Sequence, residues 1–486
     1  MEILLASAEV GPFAKVGGLA DVVGSLPKAL AKLGHEVRVV MPAYGMVLDD
    51  PRWKIKKIVD DLPVVLSKKW TESVTVYELN HNGVHVWLIG SPTYFSGVLR
   101  SEDIYPQPVD AYLFFSAALF AVCEHFHWIP DIIHSNDWHT GFIPVLLREK
   151  SGPLWRATAS VFSIHNLAYQ GNFPYDVLER MDLPSHIFNY RQVEAFGQVN
   201  FMKAGMTFSD QVNTVSPTYA LEIQLAQFGC QLEGVSSHLA HQGRFRGILN
   251  GIDTDEFDPE TDPFLLHHFS ARRADDKALC RDDLLREIGM EPIEGAPVIA
   301  MVSRLAIQKG FDLLLESFSQ LFELPVQMVV LGAGDVELGH QLRLVEKQYP
   351  FHFRFSEGFN LGLAPRIYAG ADMFLMPSLF EPCGLGQLIA LRYGTIPIVR
   401  KTGGLGDTIW EGHNGFVFSE YSSEDLIAAV KRAVAAYQKP RQWMKLAKLA
   451  MKEEVGWGDR AKLYERMYLD ALTVDGVAAQ VINSRA

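Results

Sequence analysis

The stretch Lys15-Val-Gly17-Gly18-Leu19-Ala-Asp21 lies directly after the first apolar run of the chain. A close copy, Lys401-Thr-Gly403-Gly404-Leu405-Gly-Asp407, recurs in the C-terminal half. Glycines between a strand and a helix let the backbone approach a ligand closely. One such turn is a weak sign of phosphate binding. Two matching turns, one in each half, predict two α/β domains that face a shared ligand.

The residues around the first copy predict a strand, a loop and a helix. Ile3-Leu4-Leu5 is a short run typical of a buried strand, and apolar residues recur at helical spacing over 22–33. Gly34 is typical of a helix end, whereas Pro27 fits poorly inside a straight helix. The helix N-terminus offers N–H groups to an anion, and Lys15 adds positive charge. The alternative is a tight strand-to-helix connection with a solvated lysine.

Composition excludes several classes of function. The 486 residues include 44 Lys+Arg against 57 Asp+Glu, a net charge of −13, which argues against binding to nucleic acid or an anionic membrane. The cysteines form no C-x-x-C pair, which suits a reducing compartment: Cys123, Cys230, Cys280 and Cys383. No apolar stretch reaches the roughly 20 residues that cross a bilayer, and the N-terminus enters a strand at once. We therefore expect a cytoplasmic protein, or a plastid stroma protein if the chain is a processed form.

Short β-branched runs alternate with amphipathic segments along the chain, which predicts parallel sheets covered by helices on both faces. The predicted strands include 37–40, 84–89, 132–133, 160–164, 211–215, 298–302, 326–331, 373–376 and 395–399. The acidic, proline-containing segment 251–263 is typical of an interdomain linker. We therefore predict an N-terminal Rossmann-like domain (1–250), a C-terminal one (264–460), and a helical segment (461–486) that returns to the first.

Polar segments follow several predicted strands, at the edge where open α/β sheets bind ligands. They are 9–21, 134–139, 165–171, 250–253, 304–310, 332–335 and 381–387. Loops at one edge of two facing domains would form an interdomain cleft, and we expect the site there.

Two of these segments have residue types suited to a nucleotide sugar. Arg304 and Lys309 share one loop, where a guanidinium can bind two phosphate oxygens and an ammonium adds a point charge. Glu381 precedes an apolar run, and its carboxylate can accept hydrogen bonds from sugar hydroxyls. The alternatives are two solvated basic residues and an acidic residue at a helix start.

Other chemistries are not favoured. His134 and His139 lack the spacing of a helical zinc site, so we expect no metal. His165 in isolation is more typical of a hydrogen-bonded structural residue. The segment 332–335 (Gly-Ala-Gly-Asp) lacks the third glycine of a dinucleotide site, and neither a P-loop nor a Gly-x-Ser-x-Gly elbow occurs.

Taken together, these motifs resemble bacterial glycogen synthases and plant starch synthases, the retaining glucosyltransferases of glycosyltransferase family 5. The resemblance rests on the first glycine turn, 134–140, 165–171, Asn250-Gly-Ile-Asp253, 304–310 and Phe380-Glu381-Pro-Cys383-Gly384. It implies a GT-B fold: two facing Rossmann-like domains with an interdomain cleft. It also implies transfer of glucose from ADP-glucose, or UDP-glucose, to the non-reducing end of an α-1,4-glucan, with retention and without a cofactor or metal.

The resemblance also implies roles for individual residues, with the acceptor on the N-terminal domain and the nucleotide sugar mainly on the C-terminal one. The donor-binding set is Lys15, Gly17, Gly18, Asn250, Gly358, Phe359, Cys383, Gly384, Leu385 and Gly386, with Gly358 and Phe359 at the adenine. The catalytic set is Asp137, His165, Arg304, Lys309 and Glu381, in which Arg304 and Lys309 clamp the diphosphate. Glu9 and Phe95 lie on the acceptor side.

Two departures from related families are visible. Ile389 stands where many retaining transferases carry a second carboxylate, which favours the glycogen synthase branch. Tyr94-Phe95-Ser96-Gly97 stands where many relatives have an acidic residue and an arginine, which leaves the acceptor details open. The alternatives are a retaining transferase with another acceptor, a phosphorylase that needs pyridoxal phosphate, and a non-catalytic or initiation-type glucan-binding protein.

Overall fold

The computed structural model of this protein describes residues 1–358, 360 and 362–474. The chain divides into two compact units, Met1–Asn250 with the chain from Trp457, and Gly251–Gly456. Each unit is a mixed α/β fold built on a largely or wholly parallel sheet.

The first unit has these strands among its described residues: β1 (Glu2–Ala6), β2 (Glu36–Pro42), β3 (Lys56–Ser67), β4 (Trp70–His81), β5 (Val84–Gly90), β6 (Ile132–Asn136), β7 (Ala159–Ile164), β8 (Asn172–Phe173), β9 (Glu194–Ala195), β10 (Gln198–Asn200), β11 (Gln211–Thr214) and β12 (Phe245–Gly247). Its helices up to residue 250 are α1 (Gly18–Lys32), α2 (Gly45–Leu48), α3 (Val109–His125), α4 (Ile143–Glu149), α5 (Asp176–Arg180), α6 (Phe201–Phe208), α7 (Pro217–Glu222) and α8 (Glu233–His241).

The main sheet of this unit runs in the order β12-β11-β7-β6-β1-β2-β5-β4-β3. Strand β2 lies on one side of β1 and β6 lies on the other. The direction of winding therefore reverses between β1 and β6, which pair in parallel. A doubly wound sheet binds ligands at this reversal, outside the carboxyl ends of the strands. The first strand is fully buried over Ile3–Ala6, as its apolar run predicts.

The predicted helix after the first glycine turn is α1, and it extends over Gly18–Lys32. Leu33 ends it, and Gly34 follows with φ +92°. The left-handed conformation suits glycine, which has no Cβ. Pro27 lies inside the helix on its buried face, so the poor fit that the sequence suggested is accommodated.

The parallel sheet of this unit, as predicted, is extended at one edge by antiparallel strands that the sequence did not predict. The long strands β3 and β4 pair antiparallel with each other, and β4 pairs antiparallel with β5. The register of β3 against β4 shifts in three places, between Lys57 and Val59, Val59 and Leu62, and Val65 and Ser67. Such bulges break the alternation by which a strand is recognised from sequence. A separate three-stranded sheet, β8-β10-β9, is also antiparallel.

The second unit contains the strands β13 (Val298–Val302), β14 (Gln327–Gly332), β15 (Phe353–Glu357), β16 (Met373–Met376), β17 (Ile396–Arg400) and β18 (Phe416–Phe418). Its helices, within the described part, are α9 (Lys277–Glu287), α10 (Phe311–Leu321), α11 (Val336–Gln348), α12 (Leu363–Gly370), α13 (Gly386–Arg392), α14 (Gly403–Thr408), α15 (Ser423–Tyr437) and α16 (Pro440–Ala450). All neighbouring strands are parallel, in the order β15-β14-β13-β16-β17-β18. The winding reverses between β13 and β16.

The predicted linker, 251–263, packs as part of the second unit instead of standing free. Ile252 and Asp262 are buried, and the Tyr393 hydroxyl donates to the Asp262 carboxylate. Arg392 forms an ion pair with Asp258 at 2.8 Å. These contacts explain why the division between the units falls at Asn250 and Gly251.

The last described helix, α17 (Gly458–Val474), belongs to the first unit. The unit boundary falls after Gly456, four residues earlier than the predicted 460. A buried polar network fixes α17: the Tyr468 hydroxyl lies 2.9 Å from His134 Nδ1, and Asn213 Nδ2 donates to the Tyr464 hydroxyl at 3.2 Å. The rest of the predicted segment, 475–486, lies outside the described residues.

None of the helices in the described ranges is both long and apolar enough to cross a membrane.

Candidate active site

In the first unit, the loop after β1 is organised around the carboxylate of Glu9. Glu9 is 0% exposed, and its Oε2 accepts hydrogen bonds from the Val16 and Gly17 N–H groups at 2.6 and 2.9 Å. The Tyr105 hydroxyl donates to Oε1. Burial raises the pKa of Glu9, while these hydrogen bonds oppose the rise. Glu9, predicted on the acceptor side, therefore stabilises the glycine turn by accepting hydrogen bonds from its backbone.

This arrangement changes the role of the first glycine turn. The Gly17 N–H, predicted to contact the donor, donates to Glu9 instead, and Gly18 is the first residue of α1. Lys15 is half exposed, with its Nζ 2.6 Å from Asp21 Oδ1. Exposed ion pairs contribute little to stability, so this ammonium can exchange Asp21 for another anion at small cost. Lys15 is the group of this turn that stays accessible.

Asp137 follows β6 directly, on the other side of the winding reversal. Its φ is +56°, which is unusual for a residue with a Cβ, and conformations of this kind cluster at functional sites. The buried carboxylate accepts hydrogen bonds from the backbone N–H groups of His165, at 2.8 Å, and Asn166. Burial is the largest cause that raises the pKa of Asp137 to about 7. The structure thus brings Asp137 to the start of the segment 165–171, and its role at the reacting centre stays a prediction.

His165 follows β7 and is also buried. Its Nε2 lies 2.9 Å from Asn136 Oδ1, so Nε2 is the protonated nitrogen and donates to the amide oxygen. Burial lowers the pKa of His165 to about 3, which keeps the ring neutral at physiological pH. The hydrogen-bonded ring agrees with a structural residue, and the catalytic role of His165 stays a prediction.

His139 is a buried residue of this edge that sequence reasoning considered only as a metal ligand. Its ring stacks on Tyr105, with centroids 4.6 Å apart, and contacts Trp138 at 3.9 Å. Within the described part of the chain, neither ring nitrogen has a hydrogen-bond partner. Burial lowers the pKa of His139 to about 3. Tyr105, which joins His139 to Glu9, carries no sequence signal and was missed.

In the second unit, the loops after β13 and β16 meet at the winding reversal. Lys309 Nζ donates to both carboxylate oxygens of Glu381, at 2.9 and 2.7 Å. The Ser378 hydroxyl donates to Glu381 Oε2 at 3.0 Å. Glu381 is buried, and a buried charge is stable only when it is paired and hydrogen-bonded in this way. The structure therefore joins two of the predicted catalytic residues directly.

Arg304 lies on the same loop as Lys309, and it is half buried. The Leu305 N–H donates to the Ala333 carbonyl at 2.8 Å, and the Asp335 N–H donates to the Leu305 carbonyl at 3.0 Å. These bonds fix the loop against the segment 332–335. Among the described residues, the guanidinium itself has neither an ion pair nor a hydrogen bond. Within this part of the chain, its N–H donors are therefore available to a ligand.

The second glycine turn supports the loop that carries Glu381. The Gly404 N–H is shared between the carbonyl oxygens of Glu381 and Pro382, both at 3.2 Å. Gly403 has φ +43°, and a Cβ there would lie 1.9 Å from the Glu381 carbonyl oxygen. Only glycine fits this contact. The second copy thus positions Glu381 through its backbone, a role that its sequence did not disclose.

The remaining predicted donor residues have these positions. Cys383, Gly384 and Leu385 form the turn before α13, which begins at Gly386; Gly384 has φ +73°, and Cys383 is buried. Gly358 follows β15, and its N–H donates to the Gly332 carbonyl at 2.9 Å. Phe359 lies outside the described residues, so its predicted contact with adenine stays a prediction. Asn250 is buried, and its Oδ1 has no partner among the described residues.

Phe95 does not lie where the resemblance puts it. It is fully buried in the core of the first unit, where its ring contacts Tyr44, Tyr94 and Phe114 at centroid distances of 5.9, 6.3 and 6.1 Å. An aromatic residue followed by serine and glycine has no charged neighbour to hold it at the surface, and burying its ring is favourable. Phe95 is therefore a core residue, and its assignment to the acceptor side is withdrawn.

The two winding reversals, each with charged or polar side chains at its carboxyl edge, define the class: paired Rossmann-like units of the kind that bind nucleotide ligands. Comparison with known proteins identifies the family within this class. The model of the starch synthase catalytic domain matches residues 2–238, and that of glycosyl transferases group 1 matches residues 288–450. The chain is 42% identical to a glycogen synthase of Desulforudis audaxviator, covering 97% of each chain. It is 40% identical to one of Bacillus cereus, covering 96% of this chain and 99% of the relative.

A solved structure gives the same result. The catalytic domain of starch synthase IV from Arabidopsis thaliana, bound to ADP and acarbose, matches with a TM-score of 0.90 and 32% identity, over 97% of this chain and 99% of that one. The chain belongs to the glycogen and starch synthase family, and it is a glycosyltransferase with the GT-B fold. The sequence-based prediction of family, fold class and enzyme type is confirmed.

Proposed function

We propose that this enzyme transfers the glucosyl group of ADP-glucose to the non-reducing 4-hydroxyl of an α-1,4-glucan, with retention of configuration. The observation that carries the proposal is the ion pair between the half-buried Lys309 and the buried Glu381, with Arg304 on the same loop as Lys309, at the winding reversal of the second unit. The relatives support it, since they include glycogen synthases and a starch synthase solved with ADP.

The positive charges would act on the leaving group. ADP gains negative charge as the glycosidic bond breaks, and fixed cations that meet this charge lower the barrier. Lys309 is held in place by both oxygens of Glu381, so it needs no reorganisation to act. The Arg304 donors have no partner among the described residues, so they are available to the two phosphates, and the planar guanidinium suits the phosphate oxygens.

The groups of the first unit would serve the glucosyl centre. Asp137, held by two backbone N–H groups, can stabilise the positive charge that develops at the sugar carbon. His165 is neutral, so it can form a hydrogen bond without adding charge. Both are fixed by backbone and amide contacts, and neither is placed as a free nucleophile. We therefore favour attack from the face that the ADP leaves, with the leaving phosphate accepting the acceptor proton.

We propose that the reaction needs no metal cofactor, because Arg304, Lys309 and Lys15 supply the charge that a divalent cation supplies to many nucleotide-sugar transferases. The test is to compare the initial rate in EDTA with that in magnesium. An unchanged rate supports the proposal, and loss of activity in EDTA that magnesium restores would contradict it.

The function is tested by incubating the purified protein with ADP-glucose and glycogen and measuring the release of ADP. We expect release that depends on glycogen, and a lower initial rate with UDP-glucose. Absence of release with both donors would contradict the proposal and favour a non-catalytic glucan-binding protein. Release with small acceptors but not with glycogen would favour a transferase with another acceptor.

Arg304→Ala is the sharpest variant, because removing this side chain leaves no partner unpaired among the described residues. We expect turnover to fall roughly 10²–10³-fold, the scale of losing one charge-stabilising donor. Arg286→Ala is the matched control, since Arg286 is exposed and its ion pair within the described part of the chain is with its neighbour Asp283. If Arg304→Ala kept the parent's turnover, the assignment of this residue to the diphosphate would be wrong.

A further inference from the structure

The hairpin between β9 and β10 ends in an unusual turn. Ala195 pairs with Gln198, so Phe196 and Gly197 are the two turn residues. Their φ angles are +51° and +78°, the arrangement of a type I′ turn. The Phe196 side chain is 76% exposed. A bulky aromatic residue therefore stands at the tip of a tight hairpin, in solvent.

This choice of residue does not serve the fold. A type I′ turn favours Asn or Asp before glycine, because a residue with a bulky Cβ is disfavoured at positive φ. Burial of a ring could offset the strain, but the Phe196 ring is exposed and packs little apolar surface. Strained conformations that folding does not explain are a sign of function.

A second exposed aromatic residue is fixed beside this hairpin. Tyr190 is 69% exposed, and its carbonyl oxygen accepts a hydrogen bond from Lys203 Nζ at 2.7 Å. The same Nζ donates to the carbonyl oxygen of Glu194, at the base of the hairpin, at 2.5 Å. Lys203 is buried, and burial lowers its pKa. One buried ammonium thus holds together the two backbone segments that carry the exposed rings.

The surroundings of the two rings are polar. Arg191 Nε donates to the Tyr190 hydroxyl at 2.9 Å, and its guanidinium lies 5.4 Å from the centroid of the Tyr190 ring. Glu194 and Gln198 are strand residues of the hairpin, close to its turn. Exposed rings with hydrogen-bonding groups at their edges suit a ligand with apolar C–H faces and hydroxyl rims, which describes a chain of glucose units.

The hairpin is joined to the predicted acceptor side of the same unit. The Phe201 N–H, just after β10, donates to the Gly171 carbonyl at 2.9 Å. Gly171 lies against Trp138, where a Cβ would come within 2.3 Å of the indole ring. Trp138 follows Asp137 in the chain. The exposed rings are therefore built onto the segment that connects to the predicted reacting centre.

We propose that Tyr190 and Phe196 form a binding site for internal glucose units of a long α-1,4-glucan, apart from the chain end that reacts. The proposal rests on the proposed function for the identity of its ligand. It assigns the site to affinity for long acceptors and gives it no part in the chemical step.

Phe196→Asn tests the proposal, because asparagine removes the ring and suits the turn better. We expect the KM for glycogen to rise about five- to tenfold, the scale of losing one aromatic contact. Turnover and KM with maltotriose should stay as in the parent, and the melting temperature should be equal or higher. Tyr190→Ala should act in the same direction. Phe351→Asn is the matched control, since Phe351 is 72% exposed in the other unit.

Unchanged affinity for glycogen in both variants would overturn the proposal. Equal losses with glycogen and with maltotriose would also overturn it, because they would show a role at the reacting end or in the fold. Binding of the parent and variants to glycogen is measured separately by co-sedimentation, without donor. If the parent binds glycogen through Phe196 but releases no ADP, the site stands while the proposed transfer fails.

Discussion

Replacing Asp137 with asparagine should stabilise the first unit, although we expect the variant to be less active. The carboxylate is buried after β6 at φ +56°, and burial raises its pKa to about 7 from its usual 3.8. A carboxyl group with a raised pKa contributes stability that is fully present below pH 3.8 and is lost as the pH rises through 7. Asparagine has the same shape and carries no charge to desolvate.

The magnitude follows from the shift. A difference of about 3 pKa units at about 1.4 kcal/mol each corresponds to about 4 kcal/mol of destabilisation in the parent at pH 8. At pH 5 the same linkage destabilises the parent by about 2 kcal/mol. The shifted pKa already includes the hydrogen bonds from the His165 and Asn166 N–H groups to the carboxylate, so the remaining cost is that of exchanging the neutral carboxyl for an amide, which is the same at both pH values. Because that cost cancels between the two conditions, the stability of Asp137→Asn relative to the parent should improve by about 2–3 kcal/mol between pH 5 and pH 8.

The measurement is urea unfolding of parent and variant at both pH values, followed by circular dichroism. Asp61→Asn is the control, since Asp61 also has positive φ (58°) but is exposed, and it reports any intrinsic preference for asparagine. The reasoning is refuted if the difference in unfolding free energy between Asp137→Asn and the parent is the same at pH 5 and pH 8, or smaller at pH 8.

Two further predictions concern the glycine turns. Glu9→Ala should lower kcat/KM for the donor about ten- to a hundredfold, because the Val16 and Gly17 N–H groups lose their buried acceptor. An unchanged kcat/KM for the donor would show that the turn does not depend on Glu9. Gly403→Ala should lower the melting temperature and turnover together, because its Cβ would lie 1.9 Å from the Glu381 carbonyl oxygen. Gly17→Ala should keep the melting temperature, since nothing lies within 4 Å of a Cβ there; equal thermal losses in the two alanine variants would contradict the contrast.

Periodicity in the sequence predicts those elements whose apolar faces are regular. The helix α1 and the strand β13 follow their apolar residues closely, and the residues after the parallel strands lie at the carboxyl edge as predicted. The ribbon of β3 and β4 was not predicted, because its register shifts break the alternation. The hairpin of β9 and β10 was also missed, since Phe196-Gly197 is not the usual turn signal.

The candidate site could be predicted only to the level of which loops carry it. The approach of Lys309 to Glu381 joins residues 72 positions apart, and nothing local in the sequence encodes it. The same holds for the contact of Tyr105 with Glu9, 96 positions apart. Such contacts depend on the order of the strands, which reverses between β1 and β6 and again between β13 and β16. Sequence reasoning found the strand ends but not this order.

The two glycine turns have nearly the same sequence and different physical tasks. In the first, the N–H of Gly17 donates to the buried Glu9, there is room beside Gly17, and Lys15 stays accessible. In the second, the Gly403 backbone presses on the carbonyl of Glu381, and the next N–H holds that loop by hydrogen bonds. A glycine turn after a parallel strand can therefore be supported by a carboxylate or can itself support one. In both units the glycines act through a glutamate, which explains why the turn recurs although its charged residue need not do the same work twice.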